Sequence, residues 1–533
     1  MSQLVGADWL VIAAYFVALY AVVFRHGATN RKNPTEFFLA GRNAGWFVCG
    51  ASIFASNIGS EHLVGLAGSG AAGAFPAAQF ELIAGFALLL LGWLFVPFYL
   101  RSGVFTMPEF LERRYSSGAR FYLALISIVG YVLTKISVTI AAGGIVFEAL
   151  MGIDFWTGAV IVVIATGVYT VIGGMRAVLY SDMFQVFVMI GGAVAVTIVG
   201  LDAVGGWGEL RAAVPPEFLS LWRPTSDPDF PWTGILFGAP ILAVWYWCTD
   251  QFIVQRTLSA ASIEEARRAT LFAALLKQLP LFIFVLPGVI AYVLAQRGTL
   301  VLGDADGALP TLIGTLLPAG LRGLVVAGLL AALMSSLSSV FNSCATLVTM
   351  DVYKRLAPHH SERRLVLVGQ AATVLMVLFG LAWIPLMEVI SGQLYVYLQS
   401  VQAYISPPIA AVFLIGVLWR RANARGALAA LFTGLVLGLG RLVLELNRAS
   451  LSGWAEWLAT INFLHFAILL FVLCSGVLVV VSLLTQAPDL ERVGPLTVHY
   501  HRRLAGEGAS RFSDVALSAI VVGLVAAAWW YFS

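Results

Sequence analysis

Charge is what this chain has least of: Asp, Glu, Lys and Arg make up 11% of its 533 residues, less than half of the roughly 25% usual in soluble domains. With 60% of residues apolar, a globular domain in water is excluded and the chain is read as embedded in lipid. The net charge of +3 is small and its basic residues are scattered, which excludes a nucleic-acid partner. Cysteine is scarce as well. Cys49, Cys248, Cys344 and Cys474 lie in apolar stretches without CxxC or CxxH spacing, so neither a disulfide framework nor a zinc site is indicated, and they read as buried small hydrophobes. The histidines are not spaced for metal and no nucleophile stands with a base, so nothing speaks for an enzyme. Residues Met1 to Leu10 carry Asp8 and no basic segment, which makes the first apolar run a retained span and not a cleaved signal peptide.

What is abundant is apolar length. Measured against the roughly 20 residues that cross a bilayer, about fourteen segments qualify: 8–25, 46–71, 79–100, 121–150, 156–174, 180–201, 233–255, 270–295, 319–350, 365–390, 393–419, 424–446, 460–485 and 514–532. An all-α polytopic membrane protein follows. The connections 202–232, 296–318 and 486–513 read as loops without a core of their own. Lys and Arg gather on alternate loops, in groups such as Arg113, Arg114 and Arg120; Arg256, Arg267 and Arg268; Lys354, Arg355, Arg363 and Arg364; and Arg420, Arg421 and Arg425. The opposite loops hold little beyond Arg211, Arg223, Arg297 and Arg448. Short cytoplasmic loops retain positive charge, so the first set is expected inside a plasma (inner) membrane, with both termini on the extracellular or periplasmic side.

Two spans break the apolar pattern. The second packs Ser56, Asn57, Glu61, His62 and several glycines into membrane depth, and the seventh runs Trp245-Tyr-Trp-Cys-Thr-Asp-Gln251. Irregular backbone at that depth has to line a cavity or be buried in protein. The two breaks lie five spans apart, the signature of an inverted five-helix repeat with its binding site near the midplane. This divides the chain into an extra helix and loop (1–45), a first repeat (46–202), a second repeat (203–420) and three extra helices (421–533).

Ionisable groups inside the membrane are costly and need a reason to be there. They are Glu61, His62, Glu81, Lys135, Glu148, Asp182, Asp250, Lys277, Glu388, Glu445 and His465; Glu148, Glu388 and Glu445 lie near span ends and read as interfacial. A neutral polyol is best held by groups that both donate and accept, with an aromatic face against its CH side. Asn57, His62, Glu81, Lys277 and Gln399 supply the polar set, and Phe80, Tyr246 and Trp247 the rings; each taken singly reads equally well as a helix-packing contact. A sodium ion takes several hard oxygens. Ala332, Ser335 and Ser336 share one helical face at i, i+3 and i+4, and the carbonyls of Ala55 and Ile58 in the broken second span would complete the set.

The runs Ala51-Ser-Ile-Phe-Ala-Ser-Asn-Ile-Gly-Ser60, Trp245-Tyr-Trp-Cys-Thr-Asp-Gln251 and Met334-Ser-Ser-Leu-Ser-Ser339 resemble the sodium/glucose cotransporter branch of the solute:sodium symporter family, over nearly the whole chain. The resemblance implies a LeuT-type core, sodium as the co-transported ion and sugar uptake by alternating access. It implies that Tyr246 is an inner gate and Phe80 an outer one, and that Asn57, His62, Glu81, Trp247, Lys277 and Gln399 contact the sugar. It further implies a possible second sodium site at Ser56, Asp182, Ser338 and Ser339; the competing reading has Asp182 cap the helix that starts near 180. Ala243 stands where sugar transporters often carry Thr or Asn, which leaves glucose or galactose, myo-inositol or another polyol, and a non-transporting sugar sensor as readings. No obligate protein partner is expected.

Overall fold

In a bilayer each backbone N–H and C=O has to find its partner within the protein, and a continuous apolar run meets that demand by coiling into a helix. The computed structural model describes residues 4–27, 33–387, 394–498 and 512–533 and is helical almost throughout. Glu388 and the side chain of Glu61 lie outside the described residues. Along the chain come α1 (Gly6–His26), α2 (Trp46–Asn57), α3 (Ser60–Ala71), α4 (Gln79–Leu90), α5 (Ser117–Gly130), α6 (Phe155–Val204), α7 (Gln251–Leu258) and α8 (Ile263–Leu276). They are followed by α9 (Leu286–Gln296), α10 (Leu321–Leu347), α11 (Glu362–Met387), α12 (Leu394–Leu418), α13 (Ala424–Leu446), α14 (Phe463–Leu484) and α15 (Phe512–Tyr531).

Among the described residues 12 helices are long and apolar enough to cross a membrane, against the about fourteen spans expected from length. The difference has two physical sources. The second span is broken: Ile58 (φ −80°, ψ 93°) and Gly59 (φ −95°, ψ −179°) are extended and separate α2 from α3. Spans 156–174 and 180–201, in contrast, run together as the 50-residue α6. At 1.5 Å per residue such a helix would reach about 75 Å, more than twice the roughly 30 Å of hydrocarbon, so it has to be interrupted. The interruption is Gly174 (φ 59°, ψ −163°), where a Cβ would stand 2.6 Å from the Phe37 carbonyl oxygen. A further correction concerns 296–318, expected to be a loop. It contains a helix, Ala308–Leu316, because Leu309, Leu312 and Ile313 form an apolar face that packs on α3 and α9.

The seventh span is broken too. It ends in a π-helical stretch, Val244–Thr249, after which Asp250 is extended (φ −76°, ψ 129°) and starts α7 by accepting the Phe252 N–H at 3.1 Å. The two broken spans pack around α10, in which every residue from Val325 to Leu347 is buried and which lies against α6, α2 and α7. A helix apolar on all sides belongs at the centre of a bundle. Its polar stripe, Ser335, Ser336, Ser338, Ser339, Asn342 and Ser343, therefore faces protein. At the periphery α1, α13, α14 and α15 leave Leu10, Phe24, Val436, Val472 and Leu524 exposed, as lipid-facing surfaces do. All four cysteines are buried.

One crossing requires glycine. A Cβ on Gly70 of α3 would meet the Val285 carbonyl oxygen at 2.1 Å, and one on Gly288 of α9 would meet the Ala67 carbonyl oxygen at 1.8 Å. Small residues let membrane helices approach to this degree. We expect Gly288→Val to cost about 1–3 kcal/mol through overpacking and to lower the melting temperature of the detergent-solubilised protein. Gly191→Ala, where a Cβ meets nothing within 4 Å, should leave it unchanged. Equal melting temperatures for the two variants would show that the crossing tolerates bulk.

Candidate functional site

The break in α2/α3, the start of α4, the π-helical stretch of the seventh span and α12 converge on one buried cavity. Its walls include Asn57, His62, Phe80, Glu81, Lys135, Tyr246, Trp247, Gln399 and Gln402. Seven of the eight residues expected to contact sugar therefore line a common space. The eighth, Lys277, stands one layer behind. It follows the last turn of α8 and is fully buried, and its Nζ donates to both Glu81 Oε2 and Asn57 Oδ1. Removing an ammonium from water is tolerable only with such partners, and within the pair the two charges cancel; Lys135 adds a further ammonium to the cavity wall. Lys277 Nζ also lies 5.2 Å from the centre of the Trp247 ring, a cation–π distance. His62 Nε2 stands 3.8 Å from Glu81 Oε1.

Tyr246 forms the floor. Its hydroxyl accepts from Asn57 Nδ2 at 3.0 Å and from Lys135 Nζ at 2.9 Å, so the ring is held across the cavity by groups from two other helices. On the opposite side Phe80 stacks on Phe463 of α14, with centroids 6.5 Å apart, and meets the edge of Phe230 at 6.2 Å. Phe230 belongs to the long connection after α6. The cavity between these aromatic closures is about 40 Å³, on a scale where one water takes roughly 10–15 Å³. It is nearly collapsed onto its own side chains, and a six-membered ring enters only if the surrounding helices part.

Of the proposed ion ligands, Ser336 reaches the same break. Gly59 N–H donates to Asn57 O, and His62 N–H to Gly59 O, so neither reaches its α-helical acceptor four residues back, Ala55 O and Ile58 O. Those are the two carbonyls expected to hold sodium. Ser336 Oγ bridges to the break by donating to Ser56 O at 3.1 Å, with Ala332 one turn earlier on the same face of α10. Ser335 is placed differently from the expectation: its hydroxyl donates to Asp182 Oδ1 at 2.6 Å and so faces the second cluster.

That second cluster is organised around a guanidinium. Arg256, grouped with loop charges on sequence grounds, is buried, because the break at Asp250 turns α7 back into the bundle. Its Nε donates to Ser52 Oγ at 2.9 Å, its Nη2 donates to Ser339 Oγ, and the same Nη2 stands 3.4 Å from Asp182 Oδ2. Ser52 Oγ also donates to Asp182 at 2.5 Å. Asp182 is thus in mid-helix and bonded to side chains, which removes the reading of it as a helix cap. Ser56 and Ser338 donate to carbonyls of their own helices, Ser52 O at 2.5 Å and Ser335 O at 3.0 Å.

Sequence reasoning missed Lys135, Gln402, Phe230, Phe463 and the role of Arg256. Gln402 was legible, lying at i+3 from Gln399 on α12. Lys135 was already conspicuous as an intramembrane charge. The two phenylalanines carry no signal that separates them from the other aromatics.

Compared with known proteins, residues 37–434 match the sodium:solute symporter family. The chain belongs to that family. It is 42% identical to the Bos taurus sodium/mannose cotransporter SLC5A10, over 93% of this chain and 89% of that one. It is 38% identical to the Oryctolagus cuniculus sodium/glucose cotransporter 1, over 91% and 80%, and 38% identical to the Homo sapiens sodium/myo-inositol cotransporter, over 92% and 75%. Among solved structures it resembles a Na+-coupled sialic acid symporter in a substrate-bound outward-open state, with a TM-score of 0.77, 22% identity and coverage of 91% of this chain and 99% of that one. The fold is LeuT-type, and sodium is the co-transported ion of this sodium-coupled solute symporter.

Breaking a buried ion pair by removing one partner costs about 3–5 kcal/mol, whereas removing both is far milder. Asp182→Asn and Arg256→Met should each lower the melting temperature of the purified protein, and the double variant should recover most of the loss. Additive losses in the double variant would mean the two groups do not depend on each other.

Proposed function

We propose that this symporter imports a neutral monosaccharide, with glucose or galactose foremost, and that its work is transport and not catalysis. The observation that carries this reading is the cavity itself. A carboxylate, an imidazole, two glutamines, an asparagine and the Lys135 ammonium, which is bonded to the Tyr246 hydroxyl, surround a space bounded by Phe80, Tyr246 and Trp247, and the buried charges of Glu81 and Lys277 cancel. Such a set suits a ligand with many hydroxyls and no charge. A myo-inositol cargo is the second reading, supported by the 38% identity to an inositol carrier.

Asn57 is the coupling residue in this reading. It sits between Ala55 and Ile58, whose carbonyls face the ion, and its side chain bonds both Lys277 and Tyr246. A sodium ion held by Ala55, Ile58, Ala332, Ser335 and Ser336 fixes the break and thereby orients the sugar contacts and the gate. Binding of Ser335 to the ion requires its hydroxyl to leave Asp182. A second ion at Ser56, Asp182, Ser338 and Ser339 has to compete with the guanidinium of Arg256. The basic loops face the cytoplasm of a plasma (inner) membrane, both termini lie outside, and the repeats 46–202 and 203–420 move against each other, flanked by 1–45 and 421–533. One sodium suffices for useful work: about 2.3 kcal/mol from a potential of about 100 mV and about 1.4 kcal/mol from a tenfold gradient sustain several-hundredfold accumulation.

The deciding experiment is uptake of radiolabelled glucose, galactose, mannose and myo-inositol into proteoliposomes under an imposed sodium gradient, with potassium as control. Sodium-driven uptake of glucose or galactose is expected; uptake equal in potassium would refute the coupling. Ser336→Ala should raise half-saturating sodium about five- to 150-fold, the equivalent of about 1–3 kcal/mol for a lost ligand, with sugar affinity unchanged at saturating sodium.

Gln399→Glu loses the donor and adds a buried charge, so uptake should fall at least about tenfold while the protein still reaches the membrane. Uptake at the wild-type rate would place the sugar elsewhere. The reversal potential of sugar-driven current counts the ions: two per sugar if sodium displaces Arg256 from Asp182, one if the guanidinium stays.

A further inference from the structure

A second cavity adjoins the first beside Lys135, the residue that holds the Tyr246 hydroxyl. It is lined by Tyr131, Lys135, Trp245, Asp250 and Gln402, and two of these, Lys135 and Gln402, also line the cavity above. The two spaces therefore share a wall. The lower one is nearer the basic loops, since α5 enters it from the end that carries Arg113, Arg114 and Arg120. Its chemistry repeats that of the upper cavity in kind: a carboxylate, a lysine, a glutamine, a tyrosine and a tryptophan.

The carboxylate is the telling group. Asp250 is 5% exposed. Its Oδ1 is fully engaged, accepting the Tyr131 hydroxyl and the Phe252 N–H. Its Oδ2 is buried and has no hydrogen-bond partner among the described residues. An acceptor left so costs about 1–3 kcal/mol or more, and capping α7 needs only the other oxygen. From the motif Trp245-Tyr-Trp-Cys-Thr-Asp250, the gate reading uses Tyr246 and Trp247 and leaves Trp245 and the Oδ2 of Asp250 without a task.

We propose that the lower cavity is a second, transient subsite for the same polyhydroxylated solute, entered after Tyr246 swings away, with Asp250 Oδ2 accepting one solute hydroxyl. The proposal rests on the sugar reading given above. In the present closed arrangement the cavity is about 20 Å³, room for one or two waters, so solute occupies the two subsites in turn. Lys135, bonded to Tyr246 Oη in this arrangement, stays with the solute through the transfer because it borders both.

The test compares wild type and Asp250→Asn in right-side-out and inside-out vesicles with radiolabelled D-glucose, D-galactose, D-mannose and myo-inositol. For the solute that is carried, Asp250→Asn should raise the half-saturating concentration at the basic-loop face at least about fivefold and leave that at the opposite face within about twofold. A series of monodeoxy analogues then separates recognition from gating: for the analogue lacking the hydroxyl that Oδ2 accepts, wild type and variant should become equal. The same ratio for every analogue, or an equal effect at both faces, would overturn the subsite. Tyr131→Phe, which frees Oδ1 and changes the same cavity, should also act at the basic-loop face alone and serves if Asp250→Asn does not fold. Wild-type vesicles without sodium-driven uptake of any of the four solutes would overturn the sugar reading itself, a result separate from a failure of the subsite.

Discussion

A broken helix inside a bilayer leaves backbone carbonyls that water cannot reach, and every such group has to be met by something else. In this chain the breaks at Ile58–Gly59 and Asp250 face α10, and what meets them decides the function. At the first break a serine hydroxyl reaches Ser56 O, while Ala55 O and Ile58 O lose the α-helical donors four residues on and are the carbonyls proposed for sodium. At the second, an aspartate side chain starts the following helix. The rest of the bundle can be understood as the scaffold that holds these two breaks opposite one another: a fully buried α10, and the glycine crossing of α3 over α9 behind it.

Charge is handled by the same economy. The described core contains few ionisable groups, and two buried ion pairs stand near the breaks, Lys277 with Glu81 and Arg256 with Asp182, whereas Lys135 and Asp250 are met by tyrosine hydroxyls. Each pair links helices distant in sequence. The lysine joins α8 to α4 and, through Asn57, to the end of α2; the arginine joins α7 to α6, with hydroxyls of α2 and α10 around it. Helices that share a buried ion pair cannot separate without exposing charge to hydrocarbon, so these contacts favour motion as groups of helices over motion of single ones.

Much of this was legible before any coordinate. Polar residues at membrane depth announced the second and seventh spans as broken, because nothing else explains Asn57, His62 and Asp250 there. The cavity-lining residues were legible as a set and not one by one. Lys277 was read as a wall residue and is a buried counter-charge, since sequence spacing does not distinguish a side chain facing a cavity from one a layer behind. Arg256 was misplaced for a related reason: its position depends on the turn after Asp250, and counting basic residues by loop has no knowledge of that turn. Continuity across Gly174 was hidden because a glycine pair reads equally as a loop or as a kink. The short helix Ala308–Leu316 was overlooked because a length criterion set by the bilayer passes over helices that never cross it.

The outer closure deserves a different emphasis. Phe80 meets Phe230 and Phe463, and neither partner comes from the broken helices: one ends the long connection after α6, the other begins α14. With Phe80 as the proposed outer gate, access from that side is controlled by parts of the chain that take no share in the proposed solute contacts. Differences in the connection or in the tilt of α14 between family members can change how quickly a solute gains entry while leaving its recognition untouched, so rate and selectivity are free to diverge independently.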